Sequence, residues 1–146
     1  MKMLVAVDGS KCSLEAVKSL IRQAHWYRQS PAVELVHVHL PVPQVRGMSR
    51  VVSKKDIERY YQEEGAAALA GARKLLDAAG GAYADHILVG RVAESIVEFA
   101  GKSKCDLVLV GSHGRTEVGN MLLGSVATRV LHLSRIPVLV VPWARG

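Results

Sequence analysis

Residues 106–126 read DLVLVGSHGRTEVGNMLLGSV. The opening DLVLV is an apolar, β-branched run, which predicts a buried strand over 106–110 that stops at Gly111. Residues 111–118 are polar and glycine-rich, and a helix is expected from about Gly119 to Leu133. Its apolar face would be Leu122, Val126, Val130 and Leu133. Gly124 and Ser125 then fall inside a helix, where glycine costs ~1 kcal/mol relative to alanine. Two resolutions stay open. In one, the helix begins near Gly124-Ser125, and its first turn points N–H groups and a hydroxyl at a phosphate. Residues 115–123 would then be a flap between two phosphate-contacting ends. Gly114 would permit positive φ and close approach of the backbone to a ligand, and the loop amides would form an anion-binding concavity. In the other, the glycines after the strand are only a turn, and Gly124 permits close packing of helix on sheet.

The same alternation extends outward. Pro137 opens a last strand, VLVV at 138–141, and Pro142 closes it. Toward the N-terminus, a short helix over about 93–100 would bury Ala93, Ile96, Val97 and Ala100, and YADHILV at 83–89 reads as a strand. A long helix is expected over 53–79, with Ser53 and Asp56 as a capping pair and Gly80-Gly81 as its stop. Its apolar stripe is Ile57, Tyr61, Ala68, Ala72, Leu75 and Ala79. Residues 41–51 hold two prolines and a glycine and read as a loop. VELVHVHL at 33–40 is a strand, preceded by a helix over about 13–28 with Val17, Leu20, Ile21 and Ala24 inward. Ser10 or Ser13 would cap that helix. KMLVAVD at 2–8 is the first strand, ending at Asp8-Gly9-Ser10.

Strands that alternate with helices and read as continuous apolar runs imply a parallel sheet covered on both faces. Right-handed crossovers make it a single-domain, doubly wound α/β fold. Ligands bind such sheets beyond the carboxyl ends of the strands, where strand order reverses. Asp8, residues 39–41 and Gly111 onward are therefore the places to look.

Composition narrows the function. The 146 residues suit one domain, and 49% are hydrophobic, which excludes a disordered chain. Lys and Arg number 19 against 13 Asp and Glu, so the net charge is 19 − 13 = +6. The densest basic group is Arg46, Arg50, Lys54, Lys55 and Arg59, diluted by Asp56 and Glu58 and without interleaved aromatics. It reads as a solvated loop and helix start, not as a nucleic-acid surface. No apolar run approaches the ~18–20 residues of a membrane span. The opening MKMLVAVDGSK meets Asp8 before a signal-peptide core could form, so a soluble, cytoplasmic protein without a membrane partner is expected. Cys12 and Cys105 lack metal spacing and read as reduced thiols. No GxGxxG follows the first strand, and no GxxxxGK[ST] occurs.

The spacing Gly111-x2-Gly114-x9-Gly124-Ser125, preceded by DLVLVGSHG and followed by RIPVLVVP, resembles the universal stress protein family. The opening MLVAVDGS and the VELVHV run fit as well, and the resemblance spans residues 1–146 as one domain. It implies five parallel strands in the order 3-2-1-4-5, usually a homodimer, and ATP binding in members with this glycine pattern. In that order the wholly apolar VLVV run at 138–141 lies at the sheet edge, so the homodimer is expected through the C-terminal strand. It also implies that Asp8 sits against ribose or base and that the Val38 backbone meets adenine. Gly111, Gly114, Gly124 and Ser125 would form the ribose-phosphate cradle, with Val126 adding a first-turn amide. No role transfers to His113. Arg115 either reaches a terminal phosphate or stands solvated at the surface.

Other chemistry is thinly supported. His37 and His39 share a strand face but have no third ligand, so a packed or hydrogen-bonded pair is expected over a metal. Asp8 is expected to hydrogen-bond ribose hydroxyls or loop amides, with Mg2+ arriving on ATP. Asp8 and Asp106 end opposite sides of their strands and cannot pair. No nucleophile triad or carboxylate pair is readable. The expected function is an ATP-binding, nucleotide-responsive dimer in stress response, not an efficient enzyme. The alternatives are a weak ATP hydrolase or phosphotransfer enzyme using His113, Arg115 or Glu117, and a nucleotide-independent interaction module. The intact glycine spacing counts against the module.

Overall fold

Neighbouring residues of the first strand face opposite ways, and both faces are apolar. Met3 and Val5 pack into one core with Val33, Leu35 and Leu69, while Leu4 packs into another with Val36, Val108 and Val130. A strand buried on both sides needs layers above and below it. The computed structural model, which describes residues 1–43, 52–115 and 123–143, supplies them. Strands β1 (Lys2–Ala6), β2 (Ala32–His39), β3 (Tyr83–Val89), β4 (Leu107–Gly111) and β5 (Val138–Val141) form one parallel sheet in the order β3-β2-β1-β4-β5. Helices α1 (Lys11–Arg22) and α2 (Lys54–Ala78) cover one face; α3 (Val92–Lys102) and α4 (Ser125–Leu133) cover the other. This is the single-domain doubly wound fold that the alternation implies.

Local chemistry sets the helix starts. Ser10, not Ser13, caps α1: its hydroxyl accepts the Ser13 N–H at 3.1 Å. Ser53 and Asp56 form a reciprocal capping box at the start of α2, with Ser53 Oγ accepting the Asp56 N–H at 3.1 Å and Asp56 Oδ2 accepting the Ser53 N–H at 3.2 Å.

Three expectations need correction. Helix α1 ends at Arg22 and only a short 3₁₀ turn, Ala24–Trp26, continues it, so Ala24 is exposed and not core. Its apolar stripe has run out by Ile21, and nothing beyond repays further helix. Helix α4 starts at Ser125, not near Gly119; the expected start and Leu122 lie outside the described residues. Its buried residues are Ala127 and Val130, while Val126 is exposed and Leu133 half-buried. In α2 the buried stripe is Tyr61, Gly65, Ala68, Leu69, Ala72 and Leu76, and Ala79 lies exposed beyond the helix.

Gly65 was missed because glycine carries no apolar signal. A Cβ there would stand 2.7 Å from Cγ1, Cγ2 and Cδ1 of Ile87, so the helix backbone rests directly on β3. Gly71 differs: its Cβ would meet the two δ-methyls of Leu14 at 3.1 Å, the mobile end of a half-buried side chain. Alanine adds about 1 kcal/mol of helix propensity at either site, but overpacking costs about 1–3 kcal/mol. Thermal melts should therefore show Gly65→Ala destabilised and Gly71→Ala unchanged or slightly stabilised. Equal effects at both sites would contradict this packing.

Candidate functional site

The sheet reverses direction at β1, with β2 on one side and β4 on the other. A cavity of about 310 Å³ opens at the carboxyl ends of these strands. Asp8 lines it just beyond β1, and Val38 lines it from β2. Gly111, Gly114 and Arg115 border it from the end of β4 and the following loop, and Gly124, Ser125 and Val126 from the start of α4. The residues of the expected ribose-phosphate and adenine cradle thus border one cavity, whereas His39, Leu40 and Pro41 do not line it.

Asp8 is held by the turn it begins. Its Oδ1 accepts the Ser10 N–H at 2.9 Å, and its own N–H donates to Ser13 Oγ at 3.3 Å. Gly9 has φ +81°, and a Cβ there would meet Ala68 Cα at 3.2 Å. The left-handed backbone and the tight contact with α2 both demand glycine. The other carboxylate oxygen, Oδ2, lies 3.2 Å from where a Cβ on Gly114 would stand.

That contact corrects the expected role of Gly114. Its φ is not positive, since Gly9 and Gly80 are the described glycines in the left-handed region. Gly114 provides space opposite Asp8, not an unusual torsion. Gly111 is a packing glycine: a Cβ there would lie 2.9 Å from both the carbonyl oxygen and Sγ of Cys12.

Gly124 answers the question left open by the sequence, and both readings contribute. It is the N-cap of α4, with φ −72° and ψ 162°, so the helix does begin beside the cavity. It also permits close packing, but against the glycine loop and not the sheet. Its N–H donates to the Ser112 carbonyl at 2.6 Å, and a Cβ would stand 3.2 Å from both that oxygen and His113 Cα. No side chain caps α4, and its first turn holds no acidic residue. The amides of such a turn have no intrahelical acceptors and carry partial positive charge.

A buried polar hub fixes the loop. Ser112 is buried; its N–H donates to the Val141 carbonyl at 2.8 Å and its Oγ accepts the Trp143 N–H at 3.2 Å. Ser112 Oγ also lies 2.9 Å from His113 Nδ1 and 3.6 Å from Cys12 Sγ, and the His113 N–H donates to Cys12 Sγ at 3.3 Å. Sequence reasoning missed Cys12 and Ser112, because they meet across a hundred residues. Arg115 borders the cavity at the surface. Although exposed, it is anchored, with Nε donating to the Asp8 carbonyl at 2.8 Å. Glu117 lies outside the described residues.

His37 and His39 pack edge to face, and each ring is hydrogen-bonded to a backbone carbonyl and not to the other ring. Their ring centroids are 6.0 Å apart; His37 Nδ1–H donates to the Val7 carbonyl at 2.8 Å, and His39 Nδ1 meets the Leu40 carbonyl at 2.9 Å. Among the described residues, no cluster of three His, Cys, Asp or Glu could hold a metal. Asp106 sits at the far end of the sheet, where its Oδ2 accepts the Lys2 N–H at 2.7 Å. Nor is any described helix long and apolar enough to cross a membrane.

Fold and site together define a doubly wound α/β protein with a cavity at its switch point. The universal stress protein family matches residues 1–142, and the chain belongs to that family. Universal stress protein MJ0531 of Methanocaldococcus jannaschii is 37% identical over 140 residues, covering 96% of this chain and 81% of that protein. The solved structure of protein MJ0577 superposes with a TM-score of 0.80 at 30% identity, covering 99% of this chain and 97% of that one. A universal stress protein solved in complex with cAMP superposes at 0.63 with 26% identity, covering 97% and 96%.

Burial pushes the His37 imidazole below its ordinary value; Arg115 and His39 push the same way, while the Val7 bond and Asp8 resist. The unfolded chain, with an imidazole near pH 6.5, takes up the proton more readily. Above that value both states are neutral and His37 costs nothing. As pH falls through it toward the depressed folded value, stability is lost. A His37→Asn variant lacks this titration. Its melting temperature should fall less than that of the wild type between about pH 7.5 and about pH 5. Parallel curves would contradict the assignment.

Proposed function

We propose that the cavity binds an adenine nucleotide, ATP with its Mg2+, and that the protein acts as a nucleotide-responsive dimer in stress response. The carrying observation is convergence: the Asp8 carboxylate, the space at Gly114 and the uncapped first turn of α4 all border one cavity at the switch point. Its volume lies near the lower end of ordinary ligand pockets, about 300–1,000 Å³. In this reading, adenine lies against the Val38 backbone and the apolar wall that includes Val92 and Ile96. The free Asp8 oxygen accepts from ribose hydroxyls. The Gly114 backbone, Ser125 hydroxyl and Val126 amide receive phosphates. The magnesium travels on the phosphates. The relative solved with cAMP supports an adenine ligand.

Binding without rapid turnover follows from the same residues. Asp8 is the one carboxylate among the described lining residues, and its Oδ1 already accepts from Ser10. Nothing described positions and deprotonates a water opposite the phosphate end.

The structure also selects the cleanest probes. A side chain at Gly124 would strike the loop backbone and confuse folding with binding, whereas Gly114 and Ser125 are half-buried and exposed at the cavity. Calorimetric titration with Mg-ATP should show binding by the wild type and severe loss in Gly114→Val. Ser125→Ala removes a hydroxyl donor to a charged group, about 1.5–3 kcal/mol, or about ten- to a hundredfold in affinity. Phosphate release should stay well below the ordinary enzymatic range of about 1 per second or more. A wild type that ignores ATP, or folded variants that bind it unchanged, would favour the interaction module.

The dimer would form through β5. This strand lies at the sheet edge, pairs with β4 on one side, and has no strand on its other side among the described residues. Its sequence is wholly apolar, and Leu139 is exposed. Pairing with a two-fold copy covers such an edge and closes the assembly. Leu139→Lys charges the edge without opening the core. Sedimentation should give a dimer for the wild type and a monomer for this variant; a monomeric wild type at micromolar concentration would refute the dimer.

A further inference from the structure

β1 ends at Ala6, but Asp8 stands two residues beyond it. The Val7 N–H still donates to the Val36 carbonyl at 2.8 Å, one rung past the strand. The Val7 carbonyl is held by a side chain, His37 Nδ1–H, at 2.8 Å. The next carbonyl, that of Asp8, is held by Arg115 Nε–H, also at 2.8 Å. The peptide units on both sides of Asp8 are therefore pinned, one from β2 and one from the glycine loop.

Of these two anchors, His37 is the buried one. It occupies a strand position between Val36 and Val38, where an apolar residue would pack without needing a partner. A buried imidazole must be hydrogen-bonded to be tolerated, and its partner is the carbonyl immediately before Asp8. A carbonyl accepts, so Nδ1 carries the proton and the ring is fixed in one tautomer. His37 also lines the cavity itself. We propose that His37 is a positioning residue for the Asp8 carboxylate: its bond to the Val7 carbonyl sets where Asp8 stands opposite Gly114. This inference rests on the adenine-nucleotide reading of the cavity.

Three variants separate the bond from the bulk. Asparagine places an amide N–H where Nδ1 stands. Glutamine places it one methylene further, toward the position of Nε2. Leucine fills space and donates nothing. Each is titrated with Mg-ATP, alone and in an Asp8→Ala background, with thermal melts as the folding control. His37→Asn should restore affinity to within about threefold of wild type, and His37→Gln and His37→Leu should bind about tenfold more weakly. In the Asp8→Ala background the histidine substitutions should cost nothing further, because the group they position is gone. Should His37→Leu fail to fold, the two polar variants carry the comparison. Unchanged affinity in His37→Gln overturns the proposal, as does an equal loss with and without Asp8. Failure of the wild type to bind ATP is a distinct result, which overturns the nucleotide reading and this inference with it.

Discussion

The Gly124 N–H bond to the Ser112 carbonyl, 2.6 Å long, draws the start of α4 onto the loop that leaves β4. The cavity depends on that closure. Without it, the uncapped turn at Ser125 and Val126 would have no fixed relation to Gly114 or Asp8. Glycine eases the approach, since a Cβ would press on two backbone atoms at 3.2 Å and the loop would have to give way by a few tenths of an ångström. The loop is in turn immobilised by Ser112, whose backbone and hydroxyl reach Val141 and Trp143, and by Cys12, which accepts the His113 N–H. Buried polar groups satisfied in this way fix one geometry, because each alternative leaves a donor or acceptor unpaired.

The sheet was legible because its signals are local. Five apolar runs, the Ser53–Asp56 box and the Asp8-Gly9-Ser10 stop can each be read within a few residues. The misread boundaries have a common cause. Apolar spacing continues past the end of α1 at Ala24 without a surface there to cover, and it runs through Gly124 although that residue is an extended N-cap. Periodicity reports a face that could be buried, not whether anything lies opposite. The glycines expose a second limit. Spacing identified Gly114 and Gly124, but not whether each provides torsion, space or contact. Gly9 is the one beside the cavity that needs a positive φ, and Gly65 and Gly111 are required by atoms of Ile87 and Cys12 that belong to distant segments. His37 falls in the same class: its pairing with His39 is local, but its bond to Val7 exists only because β1 and β2 are neighbours in register.

The charge surplus is handled locally as well. Glu94 accepts from Arg129 and lies within 3.3 Å of Arg91, tying α3 to α4. Glu15 pairs with Lys18 and Arg22, and Arg73 with Asp85. Exposed pairs of this kind add little stability, about 0–1 kcal/mol each. Their consequence is spatial: Arg22 in α1, Arg59 and Arg73 in α2, Arg91 just ahead of α3 and Arg129 in α4 each have an acidic neighbour.

Against that background Arg115 stands apart, because its fixed partner is a carbonyl and not a carboxylate. Among the described residues no acidic side chain lies within salt-bridge distance of the Arg115 guanidinium, and its acceptor is neutral. The charge is held at the mouth of the cavity by the same residue whose side chain lies opposite Gly114. The anchor restrains the Asp8 backbone and keeps a positive charge on the wall of the cavity that the first turn of α4 also borders. Asp8, Arg115 and the start of α4 thus border one cavity, and the bond that fixes Arg115 there goes to the Asp8 backbone and not to its carboxylate.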